Sequence, residues 1–84
     1  MINFVDDVAK WEQVYQLLRK RIESGTYAER RPIPSIRQLI QELGVADGTI
    51  QKALTRLKKE QLIRSIHGKG TFVRPREFWA MDDD

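Results

Sequence analysis

Three residues, Leu43-Gly44-Val45, separate two stretches of helical periodicity, and no other feature constrains the fold as much. Before them, Ser35 opens a pattern in which Ile36, Leu39, Ile40 and Leu43 are apolar. Its hydroxyl suits an N-cap, and Gln38 three residues on completes a capping box. Gly44 ends the segment, which predicts a helix of about two and a half turns. After them, residues 47–60 carry Ile50, Ala53, Leu54 and Leu57 on one stripe, with Asp47 expected as the cap. Gln51, Lys52, Thr55, Arg56, Lys58 and Lys59 occupy the rest of that surface, so one face packs and the other is polar and cationic. A turn this short forces the two helices to pack at a steep angle and holds the second one outward.

The flanking segments complete the order. Residues 8–24 place Val8, Trp11, Val14, Tyr15, Leu18 and Ile22 at three- and four-residue steps, which predicts a first helix capped by Asp7 and ended at Gly25. Pro32 and Pro34 make 26–34 an extended connector, with Ile33 at most in a very short strand. Leu62-Ile63-Arg64-Ser65-Ile66 and Gly70-Thr71-Phe72-Val73 read as two strands joined by the turn His67-Gly68-Lys69. The fold class expected is mainly α with a small β-hairpin, a winged helix-turn-helix of three helices plus a wing. Residues 8–74 form the domain, and 75–84 form a tail that is frayed or a short helix. Phe78 and Trp79 need burial there, against the first helix or in a symmetric contact with another subunit.

Size and charge narrow the function. A chain of 84 residues has room for one domain, and at this length only ~60% of the unfolded chain's surface is buried. It contains no cysteine, so neither disulfides nor thiolate metal sites are expected, which fits a cytoplasmic location. Its start lacks the basic and long apolar run of an export signal, and no stretch is long enough to span a membrane. The net charge of +3 hides an asymmetry. Residues 1–13 carry −2 and residues 77–84 carry −4, whereas 14–76 hold fourteen Lys or Arg against five acids. Residues 49–76 alone hold eight basic side chains against Glu60. A basic middle between acidic ends suits a polyanion partner, although charge by itself suits a solvated face equally well.

The motifs decide between them. The stretch Ile33-Pro34-Ser35-Ile36-Arg37-Gln38-Leu39 resembles the opening of helix 2 in the GntR family of bacterial regulators, a Leu-Pro-Ser-x-Arg-x-Leu pattern. Val45-Ala46-Asp47-Gly48-Thr49-Ile50-Gln51-Lys52-Ala53-Leu54 is similar to that family's recognition helix, Val-Ser-Arg-x-Thr-Val-Arg-x-Ala-Leu. His67-Gly68-Lys69-Gly70-Thr71-Phe72-Val73 is similar to its wing signature, Gly-x-Gly-Thr-x-Val. The resemblance runs from about Val14 to Val73 and implies sequence-specific binding of double-stranded DNA as a transcriptional regulator, a repressor, acting as a homodimer. It implies that Ser35 and Arg37 contact phosphate, with Arg37 also reaching a base edge, and that Thr49 meets the backbone. His67 and Gly68 are implied at the groove edge.

The sequence departs from the family pattern at two reading positions, where Asp47 and Gln51 replace arginines. Arginine suits guanine and glutamine suits adenine, so the family's base preferences do not carry over. Helix geometry adds Lys52, Thr55 and Arg56, and the wing adds Lys69, to the expected contacts; Gly48 and Thr49 join Gln51 facing base edges. The family's C-terminal metabolite-binding domain has no counterpart in the 11 residues after Val73, so no small-molecule effector site is evident and the chain is a stand-alone binder or part of something longer. No cofactor, metal or catalytic residue is expected: His67 is the sole histidine, and nothing orients it against Ser65 or Thr71. The alternative is a winged-helix adaptor whose basic surface meets an acidic protein, a reading that Asp47 and Gln51 favour. Single-stranded nucleic acid is a third option, weakened because Phe72 is the only aromatic in the basic wing region.

Overall fold

The computed structural model describes residues 8–79, in the order α1 (Lys10–Glu23), α2 (Ile36–Leu43), α3 (Asp47–Lys59), β1 (Ile63–Ile66), β2 (Gly70–Val73) and a single 3₁₀ turn at Arg76–Phe78. Three helices and an antiparallel hairpin make a winged helix-turn-helix. The helices bury most of the stripes their sequence spells, except Val8, which precedes α1 and stays exposed because the helix starts only at Lys10. Val14, Tyr15, Leu18 and Ile22 of α1 meet Leu39 and Leu43 of α2 and Ile50, Ala53, Leu54 and Leu57 of α3 in one core. Leu62, Ile63 and Val73 close that core from the hairpin side, with Trp11, Tyr27 and Trp79 packed at its margin.

The ends of α2 form as expected. The Gln38 amide donates to Ser35 Oγ at 3.1 Å, and Gln38 Oε1 accepts from the Ser35 amide at 2.8 Å. Gly44 takes φ +69, where a side chain would strain, and its amide donates to the Ile40 carbonyl. This is the sharp turn that throws α3 across α2.

The other helix ends depart from expectation. α3 is capped by the backbone of Ala46, and Asp47 is its first helical residue rather than its cap. The Asp47 carboxylate instead accepts from Gln51 Nε2, one turn on, at 2.6 Å. α1 starts at Lys10 after Ala9, and the expected cap Asp7 lies outside the described residues. α3 ends in a Schellman arrangement: the Leu62 amide donates to the Leu57 carbonyl and the Gln61 amide to that of Lys58, both at 3.0 Å. Gln61 therefore holds φ +67, the position usually given to glycine. That closure consumes the Leu62 amide, which is why β1 begins at Ile63 rather than at Leu62.

In the hairpin Ile63 pairs with Val73 and Ile66 with Gly70, leaving His67-Gly68-Lys69 as the turn, with Gly68 at φ +77. The proline-bearing connector pairs with the other edge of β2. Arg30 and Ile33 donate to the Val73 and Thr71 carbonyls, and the Val73 amide donates to the Arg31 carbonyl. Pro32, which has no amide to offer, bridges Phe72 with its donorless edge outward. Trp79 packs against the core and donates from Nε1 to the Arg74 carbonyl at 2.8 Å, whereas Phe78 stays exposed under the Arg74 guanidinium. Arg76 ties this turn to the end of α1 through the Glu23 carbonyl and to Glu29. Met81 and the acidic residues Asp82–Asp84 lie outside the described residues.

Candidate nucleic-acid interface

The packed stripe of α3 fixes what its other side presents. Gly48, Gln51, Lys52, Thr55 and Arg56 are exposed and Thr49 is half-buried. Thr55 donates its hydroxyl proton back to the Gln51 carbonyl at 2.9 Å. At Gly48 a side chain would meet nothing within 4 Å, so the glycine leaves a bare stretch of helix backbone on the outer face.

On one flank of α3, a shallow cleft runs between the start of α2 and the wing. Ser35, Arg37 and Lys69 line it together with Pro34, Thr71 and the edge of Leu54. Elements far apart in sequence thus bring three of the expected contact residues to one place. Ser35 Oγ accepts the capping bond, which leaves its hydroxyl proton to donate outward. His67 and Gly68 stand exposed at the hairpin tip beside Lys69.

On the other flank the cations behave differently. Lys52 Nζ lies 4.8 Å from the centre of the Trp11 ring. Arg56 lies 4.5 Å over Tyr15 and donates from Nε to Glu60 at 3.3 Å. Glu60 also accepts from Arg19 at 3.1 Å and from the Tyr15 hydroxyl, so a single carboxylate ties α1 to the end of α3. Burial, and then the neighbouring Glu60 carboxylate, push the Tyr15 hydroxyl above its ordinary titration range. Arg56 is thus engaged in holding the helices together, whereas Lys52 offers an ammonium at the edge of the exposed face.

A division among the charges follows. Arg19, Arg21, Arg56 and Arg76 are ion-paired, to Glu23 and Glu60, Glu42, Glu60 and Glu29 respectively. Arg37 and Lys69 have no carboxylate partner among the described residues, and Arg64, on the wing, has none either. Arg64, and Trp11 as the platform under Lys52, come from the fold and not from the motifs. Neither could be found from periodicity, because the first depends on hairpin register and the second on how α1 crosses α3. Glu60 left a fainter signal, as the one acid among residues 49–76. Among the described residues there is no cluster of side chains fit to hold a metal, and no helix is long and apolar enough to cross a membrane.

Geometry of this kind has counterparts. The DNA-binding domain of AraR, in a crystal structure with operator ORR3, superposes with a TM-score of 0.76 at 32% identity, covering 87% of this chain and 88% of that one. A GntR-family transcriptional regulator from Listeria monocytogenes superposes with a TM-score of 0.82 at 27% identity, over 88% of this chain and 65% of that one. The family described as bacterial regulatory proteins, gntR family, matches residues 10–73. The chain belongs to the gntR family. Among its relatives are the HTH-type transcriptional repressor NagR of Bacillus subtilis, 31% identical over 86% of this chain and 30% of NagR, and the histidine utilization repressor of Klebsiella aerogenes, 36% identical over 75% of this chain and 26% of the repressor. This gntR-family chain spans less than a third of the length of the curated relatives it matches.

Proposed function

We propose that this chain binds double-stranded DNA sequence-specifically and represses transcription in the cytoplasm, as a homodimer on a two-fold related site. It acts as a binding protein and not as an enzyme. The major groove, about 12 Å wide, admits one helix, and α3, the second helix of the helix-turn-helix, exposes Gly48, Gln51, Lys52, Thr55 and Arg56 on its outer face. In this reading Gln51, Gly48 and Thr49 face base edges. Arg37, Lys52 and Lys69 neutralise phosphates on either side and Ser35 donates its hydroxyl proton to one, with His67 and Gly68 at the groove edge. Arg56 contributes to the field there while its hydrogen-bonding edge serves Glu60.

The observation that carries the reading is the cleft in which Ser35, Arg37 and Lys69 meet beside the exposed face of α3, its two cations free of carboxylate partners among the described residues. A cation already neutralised by a carboxylate gains little from a phosphate, whereas a solvated one gains counterion release. The relatives named as repressors, and AraR bound to operator DNA, support the same direction.

Titrating duplex affinity against salt tests it. Each phosphate contact adds about 0.9 to the slope of log affinity on log salt. Lys69→Gln and Arg37→Gln are each expected to lower that slope by about one. Lys69→Gln is expected to weaken all sequences alike, and Lys20→Gln, on the outer face of α1, to leave the slope unchanged. Equal slopes for all four proteins would overturn the assignment of the cleft.

A further inference from the structure

Two side chains at the start of α3 hold each other in a way that bears on which base they accept. Asp47 and Gln51 are both exposed and stand one turn apart, with Gln51 Nε2 donating to Asp47 Oδ1 at 2.6 Å. We infer that Asp47 sets the base preference of Gln51, favouring adenine and excluding guanine, by fixing which way the Gln51 amide faces. The inference rests on the reading of α3 as the helix in the major groove.

The chemistry is a count of donors and acceptors. An ionised carboxylate accepts only, so whatever the Gln51 amide turns toward Asp47 must be its NH₂ end. A free glutamine turns its amide over at little cost and offers either end to a base. Held by Asp47, Gln51 has one of its two N–H bonds spent and keeps one donor and its Oε1 acceptor. Adenine presents one acceptor and one donor in the major groove, N7 and the N6 amine, which is the complement of what remains. Guanine presents two acceptors, N7 and O6, and needs two donors. It would find one donor, with its O6 set against Oε1 and the Asp47 carboxylate. Cytosine's N4 amine can satisfy a single acceptor and is the weaker competitor. Asp47 is a positioning residue in this account, since it acts through Gln51.

The same pair has a merely structural use. A Gln and an Asp four residues apart stabilise a helix slightly, and a carboxylate in the first turn faces the positive end of the helix dipole. That use affects melting temperature and leaves base preference alone, which makes the two separable.

Selection from a randomised duplex library with the wild-type chain, Gln51→Ala, Asp47→Asn and Asp47→Ala reads the difference. The position read by Gln51 is the one whose preference vanishes in Gln51→Ala. There the wild type is expected to enrich adenine over guanine about tenfold or more, the range of one good bidentate contact. Asp47→Ala is expected to bring guanine to within about threefold of adenine at that position alone, with other positions unchanged. Asp47→Asn retains an acceptor for the Gln51 amide and is expected to keep adenine first. Guanine enriched by the wild type, or an adenine-to-guanine ratio indifferent to Asp47→Ala, would overturn the inference while leaving DNA recognition intact. A wild type that binds duplex and enriches nothing would overturn the reading of α3 itself, and the inference with it.

Discussion

Replacing Glu60 by alanine should loosen the joint between α1 and α3, and the size of the effect can be worked from the contacts. The Glu60 carboxylate, only 17% exposed, accepts from the Tyr15 hydroxyl, Arg19 and Arg56. The largest loss is at Tyr15, a residue 1% exposed whose hydroxyl would be left without its carboxylate acceptor. A hydrogen bond to a charged group contributes about 1.5–3 kcal/mol in such a setting. The two arginines lose less, because Arg19 keeps Glu23 and Arg56 is 43% exposed, where solvent screening holds a pair to about 0–1 kcal/mol. Against these stands a relief of about 0.3–1 kcal/mol, because an anion at the C-terminal end of α3 opposes the helix dipole. The balance is a loss of about 2 kcal/mol. For a domain of this size, each kcal/mol shifts Tm by about 4–8 °C, so a fall of about 8–16 °C is expected by circular dichroism. Tyr15→Phe in the same background closes a double-mutant cycle, and a coupling of at least about 0.5 kcal/mol is expected for groups in contact. A Tm within about 3 °C of wild type, or strict additivity with Tyr15→Phe, would refute the view that this carboxylate joins the helices.

Three further outcomes follow from particular residues. Gln61→Gly relieves a left-handed conformation at a cost in one exposed hydrogen bond from Arg74, so a net gain of roughly 0.5–1 kcal/mol is expected in chemical denaturation. Gly48→Ala, at the second residue of α3, should raise stability by less than the roughly 0.5–1 kcal/mol of a helix-interior glycine, yet weaken duplex binding if the backbone there meets DNA; unchanged binding would remove Gly48 from the interface. Arg21 holds the Glu42 carboxyl below its ordinary range, so its stabilisation is complete above the unfolded pKa near 4.3 and is lost as pH falls through the lower folded value. Glu42→Gln should therefore flatten the stability profile below about pH 4.3, and an unaltered acid limb would contradict the pairing.

The parts of this molecule written in local chemistry were legible in its sequence. The Ser35–Gln38 capping box, the glycine at position 44 and the apolar stripes of the helices depend on residues within a turn or two of one another, and the structure forms them as read apart from Val8, which falls before α1 and is exposed. The two strands of the hairpin and the turn between them followed from a glycine-bearing stretch between two short apolar runs, with β1 starting one residue later than read. Aspartate suits both the cap and the first turn, so residue type alone does not separate the two, and the structure puts Asp47 in the first turn after Ala46. What stayed hidden depends on distant parts of the chain meeting. Glu60 and Tyr15 are 45 positions apart, and the pairing of residues 30–33 with β2 joins a proline connector to a strand read only as half of a hairpin. The candidate site divides in the same way. Its residue types were visible from the motifs, but which cations would be neutralised by carboxylates, and so unavailable to a phosphate, required the fold.

Selection of duplexes from a randomised library at about 150 mM salt, where nonspecific attraction is already weakened, tests the central claim most directly. The account expects a two-fold symmetric motif to be enriched, with half-sites set apart by the dimer and preference at one position of each lost on replacing Gln51. Binding that fades with salt and enriches no sequence would contradict it, leaving a basic winged helix whose partner is an acidic protein.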